Sequence, residues 1–422
     1  MKEQENPMKS YKRVLALMLA MAMMVCVFAA CGSDAASAPA ASSAEAAASG
    51  DAAAAPAAAG DKVVKIGVYE PASGDNGAGG KQETLGMQYA NQETPTVEIG
   101  GETYSVQLEI VDNQSSTDKG PSAAQQLVSA GVSVVLGSYG SGVSIAASDV
   151  FKNGGVPAIG VTCTNPQVTE GNDHYFRICF LDPFQGTVLA NYASAELGAK
   201  KAYCLSKLGD DYSAGLCNYF KEAFTGLGGE VVEESFPEGN SDFTSYITNA
   251  KSQGCEVFFA PVSTEAAANI IEQASAQGLG MPMLAGDTWD SNVITGAAQG
   301  KDVEIIVTTF YQEGGNAAFD EGFKAYLNSD STAMTNNGGN DMVAAVSAMG
   351  YDAYYVALEA LKAAGSTDAA AVQAALPGVT YTGVSGAIAF NETGDAIRDT
   401  AYVKKANTET GAWDFVAEQK VG

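Results

Sequence analysis

Residues 134–166 read VVLGSYGSGVSIAASDVFKNGGVPAIGVTCTNP. An apolar run ending at Leu136 breaks into a Gly/Ser loop, and a helical pattern follows over 144–151. A second apolar run over 156–161 ends in Thr162-Cys163-Thr164. Strand, helix and strand at this spacing predict two parallel neighbours. Both strands then deliver small hydroxyl residues and free backbone N–H groups to one edge of a sheet. A helix N-terminus beside such a loop carries unpaired donors and partial positive charge, which suits a carboxylate or phosphate. The stretch holds no nucleophile–base pair and no metal-ligand cluster, so it reads as a cradle for a small anion.

The same rhythm extends both ways. Strands are expected over 62–69, 104–111, 175–180, 201–206, 230–236, 256–260, 282–286 and 303–309, with helices between them over 79–92, 121–130, 184–197, 213–227, 243–253 and 264–276. Helices over 317–327, 342–364 and 367–376 follow, then strands over 386–390 and 401–405. Alternating strands and helices imply an α/β protein with parallel sheets covered on both faces. This many units exceed one doubly wound domain, so two are expected, with breaks near 180–183 and 308–311. Helices after the second break read as additions to the first domain.

The first sixty residues are not part of that fold. Lys9, Lys12 and Arg13 precede an apolar run over 14–30, the pattern of an export signal, with translation starting at Met1 or Met8. Ala29 and Ala30 before Cys31-Gly32 resemble a lipoprotein signal-peptidase site, which would make Cys31 a lipidated N-terminus; an ordinary secretory signal is the alternative. Residues 31–60 are nearly all Ala, Ser, Pro, Gly and Asp and offer nothing large to bury, so a disordered tether is expected. The chain carries 22 Lys and Arg against 49 Asp and Glu, a net charge of -27. That balance opposes nucleic-acid binding. Seven cysteines show no CxxC spacing, and His174 is the sole histidine. A zinc site or a histidine-dependent triad is thereby set aside, and no cofactor or metal is expected. Cysteines 163, 179, 204, 217 and 255 read as small core hydrophobes; a Cys204–Cys217 or Cys163–Cys179 disulfide stays open.

The body resembles the type I periplasmic binding proteins of ABC importers, in the leucine/isoleucine/valine-binding branch. Pro71-Ala72-Ser73-Gly74-Asp75, Gly137-Ser138-Tyr139-Gly140-Ser141, Ala146-Ala147-Ser148-Asp149, Thr164-Asn165-Pro166 and Arg177 carry the likeness. Gly209-Asp210-Asp211-Tyr212, Gly286-Asp287-Thr288-Trp289, Gly350-Tyr351-Asp352-Ala353 and Gly383-Val384-Ser385-Gly386 continue it in order. The resemblance implies two doubly wound lobes joined by three crossovers that close over one ligand. It places the first lobe in 61–180 and 310–383, and the second in 181–309 and 384–422. It also implies a monomeric extracytoplasmic receptor, held to the membrane through lipidated Cys31, that hands a free amino acid to the permease without chemistry of its own.

By the same resemblance, Ser141 and Thr164 bind the ligand carboxylate, the Thr162 carbonyl and Asp287 the ammonium, and Tyr212 closes over it. Tyr139, Val262 and Trp289 would line an apolar sub-pocket for a branched-chain or other hydrophobic side chain. The aromatic residue of the family's first loop is replaced here by the run Gly77-Ala78-Gly79-Gly80. Read as residues alone, Ser141 and Thr164 also suit helix caps and turns, and Asp287 could cap the segment near Asn292. Receptors for amides, urea or small carboxylates, and a sensory ligand-binding protein, remain as rival readings; an enzyme is not expected.

Overall fold

The computed structural model describes residues 62–420. The expected signal segment, Cys31 and the tether lie outside the described residues. In the first lobe β1 (Lys62–Glu70), α1 (Gly77–Glu93), β2 (Thr96–Ile99), β3 (Glu102–Asp112), α2 (Gly120–Ala130), β4 (Val134–Leu136), α3 (Ser141–Gly154), β5 (Ala158–Gly160) and β6 (Tyr175–Arg177) follow one another. Their strands form a sheet ordered β2-β3-β1-β4-β5-β6, parallel except for β2. The second lobe holds α4 (Asp182–Ala195), β7 (Lys201–Lys207), α5 (Asp211–Gly226), β8 (Glu230–Phe236), α6 (Thr244–Ser252), β9 (Val257–Phe259), α7 (Thr264–Ala276), β10 (Met283–Ala285), α8 (Asn292–Ala298) and β11 (Ile305–Thr309).

The chain then runs through α9 (Ala317–Ser329), α10 (Ser331–Asn336), α11 (Ala345–Ala364) and α12 (Ala369–Ala375) to a hairpin of β12 (Thr380–Gly383) and β13 (Gly386–Ala389). It ends in β14 (Thr400–Asn407) and β15 (Ala412–Lys420), which add antiparallel edges to the second sheet, ordered β15-β14-β11-β10-β9-β7-β8. The short central strands β4, β5, β9 and β10 are wholly buried, as strands covered on both faces must be.

Several elements differ from their sequence reading, each for a local reason. The helix expected from 213 starts at Asp211, because the Asp210 carboxylate accepts from Ser213 N at 2.8 Å and caps it. The helix expected from 342 starts at Ala345, because Asn340 and Asn337 hold Met342 in a turn, at 3.0 Å to its N–H and 2.9 Å to its carbonyl. The strand expected over 175–180 stops at Arg177. Edge strands β2 and β15 were not anticipated, since β2 is four residues long and β15 has no buried residue. Cysteines 163, 179, 204, 217 and 255 are buried free thiols, so neither disulfide left open by the sequence is formed.

Two of the motifs are structural. In Gly350-Tyr351-Asp352-Ala353, Gly350 lets α11 lie against α1: a Cβ there would stand 2.2 Å from the Glu83 carbonyl. Gly86 answers from α1, where a Cβ would meet the Ser347 carbonyl at 1.9 Å. The Asp352 carboxylate collects Val384 N at 2.9 Å and Ser385 N at 2.8 Å, which fixes the β12–β13 turn on α11. Gly86→Ala should therefore destabilise the fold by about 1–3 kcal/mol, because overpacked backbone has no rotamer to yield. Gly296→Ala on α8, where a Cβ meets nothing within 4 Å, should leave the fold unchanged or slightly firmer. Urea-unfolding midpoints of the two variants compare them directly.

Candidate ligand-binding site

In the first sheet the connections run outward in opposite directions from β1 and β4. In the second they do so from β7 and β9. Crevices at the carboxyl ends of strands at such switch points are where open α/β sheets bind ligands. Glu70 ends β1, the loop after β4 carries Tyr139 into α3, and Thr162–Thr164 follow β5. Opposite them, Tyr212 opens α5 and Asp287 follows β10.

The first-lobe wall is rich in donors. Ser141 begins α3, so the N–H groups of its first turn have no intrahelical partner. Ser141 Oγ accepts from Asn165 N at 3.2 Å, which joins the helix start to the loop after β5. Thr164 Oγ1 is buried without a hydrogen-bond partner, as is Asp182 Oδ2. Thr162 Oγ1 donates to the Glu83 carboxylate, behind the wall.

Arg177 holds this loop in place. Its guanidinium is fully buried, and it donates to the carbonyls of Cys163 (2.9 Å) and Asn165 (2.5 Å), to Thr169 Oγ1 (3.0 Å), and twice to Asp395 Oδ1 (2.9 and 2.6 Å). All five N–H groups of the fork are used.

The second-lobe wall is an acceptor. Asp287 is buried, and its Oδ1 accepts from Gln185 Nε2 at 2.9 Å and from Tyr212 OH at 3.0 Å. Gln185 Oε1 in turn accepts from Asp287 N at 2.8 Å and Thr308 Oγ1 at 2.7 Å. Among the described residues no Lys, Arg or His pairs with Asp287; the buried lysine of its lobe, Lys404, is bound to Asp290 at 2.9 Å. Burial raises the Asp287 carboxyl to about 6, with the Gln185 and Tyr212 hydrogen bonds opposing that rise. Gly286 leaves room for the tyrosine: a Cβ there would lie 2.4 Å from Tyr212 OH.

Behind the first-lobe wall lies a carboxyl pair. Glu70 Oε2 accepts from Tyr139 N at 2.6 Å, and Glu83 is held by Thr162. Burial raises both groups, and the neighbouring charge of Glu83 adds to the rise at Glu70. Asp182, on the first turn of α4, is raised by burial to about 8.

The lobes stand closed on each other. Tyr139 OH donates to the Thr288 carbonyl at 3.1 Å and Asn165 Nδ2 to the Asp211 carbonyl at 2.8 Å. Asp75 pairs with Lys207 at 2.7 Å, while its carbonyl accepts from Thr264 Oγ1 at 3.2 Å. A cleft of about 410 Å³ remains between them, inside the roughly 300–1,000 Å³ range of small-molecule sites.

Of the residues expected from sequence, Tyr139, Ser141, Thr162 and Tyr212 line this cleft. Thr164 and Asp287 are buried beside it, Asp287 bonded to the wall residue Tyr212. The expected apolar sub-pocket does not assemble. Val262 and Trp289 are in the second-lobe core, where Trp289 Nε1 donates to the Val262 carbonyl at 3.1 Å. Tyr139 instead lies over α1, where Gly79 spares it: a Cβ there would stand 2.4 Å from the ring. Sequence reasoning missed Glu70, Glu83, Gln185 and Thr288. A charged residue ending the apolar strand β1 was the available signal for Glu70; Gln185 carried none.

A family profile described as periplasmic binding protein matches residues 63–411. A Leu/Ile/Val-binding protein homolog of Brucella melitensis is 30% identical over 351 residues, covering 80% of this chain and 90% of that protein. The leucine-binding protein LivK of Thermotoga maritima has a TM-score of 0.74 at 32% identity, covering 85% of this chain and 99% of that one. LivJ of Streptococcus pneumoniae, a branched-chain amino acid transporter substrate-binding protein in complex with isoleucine, has a TM-score of 0.72 at 26% identity, covering 85% and 99%. Two α/β lobes closed over a polar cleft define an extracytoplasmic solute receptor of an ABC transporter. The chain belongs to the type I periplasmic binding proteins, in the branch of the Leu/Ile/Val-binding receptors.

The buried acids make stability depend on pH. Asp182 binds its proton far more tightly folded than unfolded, so its contribution is full below the unfolded value and is lost as pH rises through about 8. The melting temperature of the unliganded protein should therefore fall between pH 5 and pH 9. Asp182→Asn, which imitates the protonated acid, should flatten that slope in a thermal melt series.

Proposed function

We propose that this receptor captures a free α-amino acid between its lobes and delivers it, by opening again, to an ABC permease. Asp287 carries the reading: a carboxylate buried without a cation, across the cleft from a wall of unpaired N–H and hydroxyl donors. The ligand's carboxylate lies at the start of α3, on Ser141 and the Thr164 hydroxyl, and its ammonium pairs with Asp287 and the Thr162 carbonyl. Tyr212 closes the second-lobe side. Pairing that forms only in the closed state gives the ligand greater affinity for that state, which is what shifts the population. The protein acts as a monomer, and the lipidated Cys31 with the 31–60 tether keeps it at the membrane.

Asp287→Ala should cost about 1.5–3 kcal/mol of amino-acid affinity, the range for a hydrogen bond to a charged group. Asp287→Asn keeps the Gln185 and Tyr212 contacts and should lose a similar amount. Wild-type affinity should fall as pH drops below about 6, where Asp287 takes up a proton, by up to roughly tenfold per unit. Calorimetry across that pH range measures both effects. Equal binding of a deaminated analogue would favour the small-carboxylate reading instead. Cys31→Ala should release the protein from membranes into the medium, as a fractionated immunoblot would show.

A further inference from the structure

Outward from Ser141 and Tyr212 the cleft changes character. Its first-lobe side is made by Asp75, Asn76 and the loop 114–118, and its second-lobe side by Lys207, Asp210 and Glu238. Among the described residues on its wall, the aliphatic side chains are Val143 and Leu208 alone, and Leu208 is 69% exposed at the mouth. With Val262 and Trp289 in the core, the described residues on this wall form no apolar pocket for a branched side chain.

Acceptors dominate instead. Asn76 Oδ1 is buried without a partner, and the side chain makes no capping bond to α1. Carboxylates at Asp75, Asp118, Asp210 and Glu238 face a single wall cation, Lys207. That lysine is already committed to Asp75 at 2.7 Å and Glu238 at 2.5 Å. Asp118 has no ion pair among the described residues. Hydrocarbon placed here would strip water from acceptors and return nothing, while a side-chain carboxylate would meet like charge. Sites built from buried polar groups reject ligands that cannot satisfy them far more strongly than apolar pockets reject misfits.

We infer that the ligand is an α-amino acid whose side chain ends in hydrogen-bond donors (an amide, ammonium or guanidinium group) rather than in a branched hydrocarbon. The inference rests on the α-amino-acid reading above: Asp287 and the start of α3 hold the head group, and the side chain points along the outer cleft toward Asn76 Oδ1 and the acidic mouth.

Calorimetry on the full-length protein tests it with glutamine, asparagine, lysine and arginine against leucine, isoleucine, valine and glutamate. At least one donor-ended amino acid should bind tenfold or more tighter than every branched-chain one and than glutamate. A branched-chain amino acid or glutamate that equals or exceeds the best donor-ended ligand overturns the inference while leaving the head-group site standing. Absence of binding by all eight overturns the head-group reading and this one with it. Asn76→Leu, which removes no cap, should narrow the gap between the best donor-ended ligand and leucine by about tenfold. An unchanged gap would remove Asn76 as the specificity residue and overturn the assignment of the side-chain path.

Discussion

A guanidinium taken wholly out of water must have every N–H satisfied, and the way Arg177 meets that demand organises the receptor. Its partners are the carbonyls of the loop that presents Thr162 and Thr164, the Thr169 hydroxyl, and Asp395 on the last crossover between lobes. One residue thus ties the ligand-facing loop to the segment that leads into β14. Removing either Arg177 or Asp395 would leave the other as an unpaired buried charge, which is the expensive way to break such a pair. The same crossover is secured by Arg398, which donates to the carbonyls of Ile178 and Ser385 at 2.8 and 2.6 Å.

The second organising fact is the opposite case, acids buried without cations. Asp287 keeps only the neutral donors Gln185 and Tyr212, and Glu70 and Glu83 are raised by burial with no lysine or arginine paired to either among the described residues. Acids buried without a counter-charge bind their protons more tightly folded than unfolded, so each weakens the fold where it is ionised.

The start of α1 and the Tyr139 ring fit together through a glycine. Gly79, in the run Gly77-Ala78-Gly79-Gly80, makes room for the Tyr139 ring, which a Cβ there would approach to 2.4 Å. Tyr139 then reaches across the cleft to the Thr288 carbonyl and spends its hydroxyl on closure. Beyond it the wall is polar, from Asn76 to Glu238.

Much of this was legible in the chain itself. Strand–loop–helix alternation follows from local hydrophobic periodicity, and Ser141, Thr162, Tyr212 and Asp287 sit at strand ends because short βα loops can put them nowhere else. Other features depend on which distant segments meet. Val262 and Trp289 follow strands just as Asp287 does, yet α7 and the second-lobe sheet enclose them, and no local pattern separates a strand-end residue that faces the cleft from one that faces the core. Glu83 is an ordinary helical glutamate until Gly350 brings α11 against it and burial changes its acidity. Gln185 reaches Asp287 across 102 positions of sequence. The sequence by itself determined the fold class and the polar residues that stand at the strand ends. The tertiary structure decided which carboxylates lost their water, because burial depends on which distant segments meet.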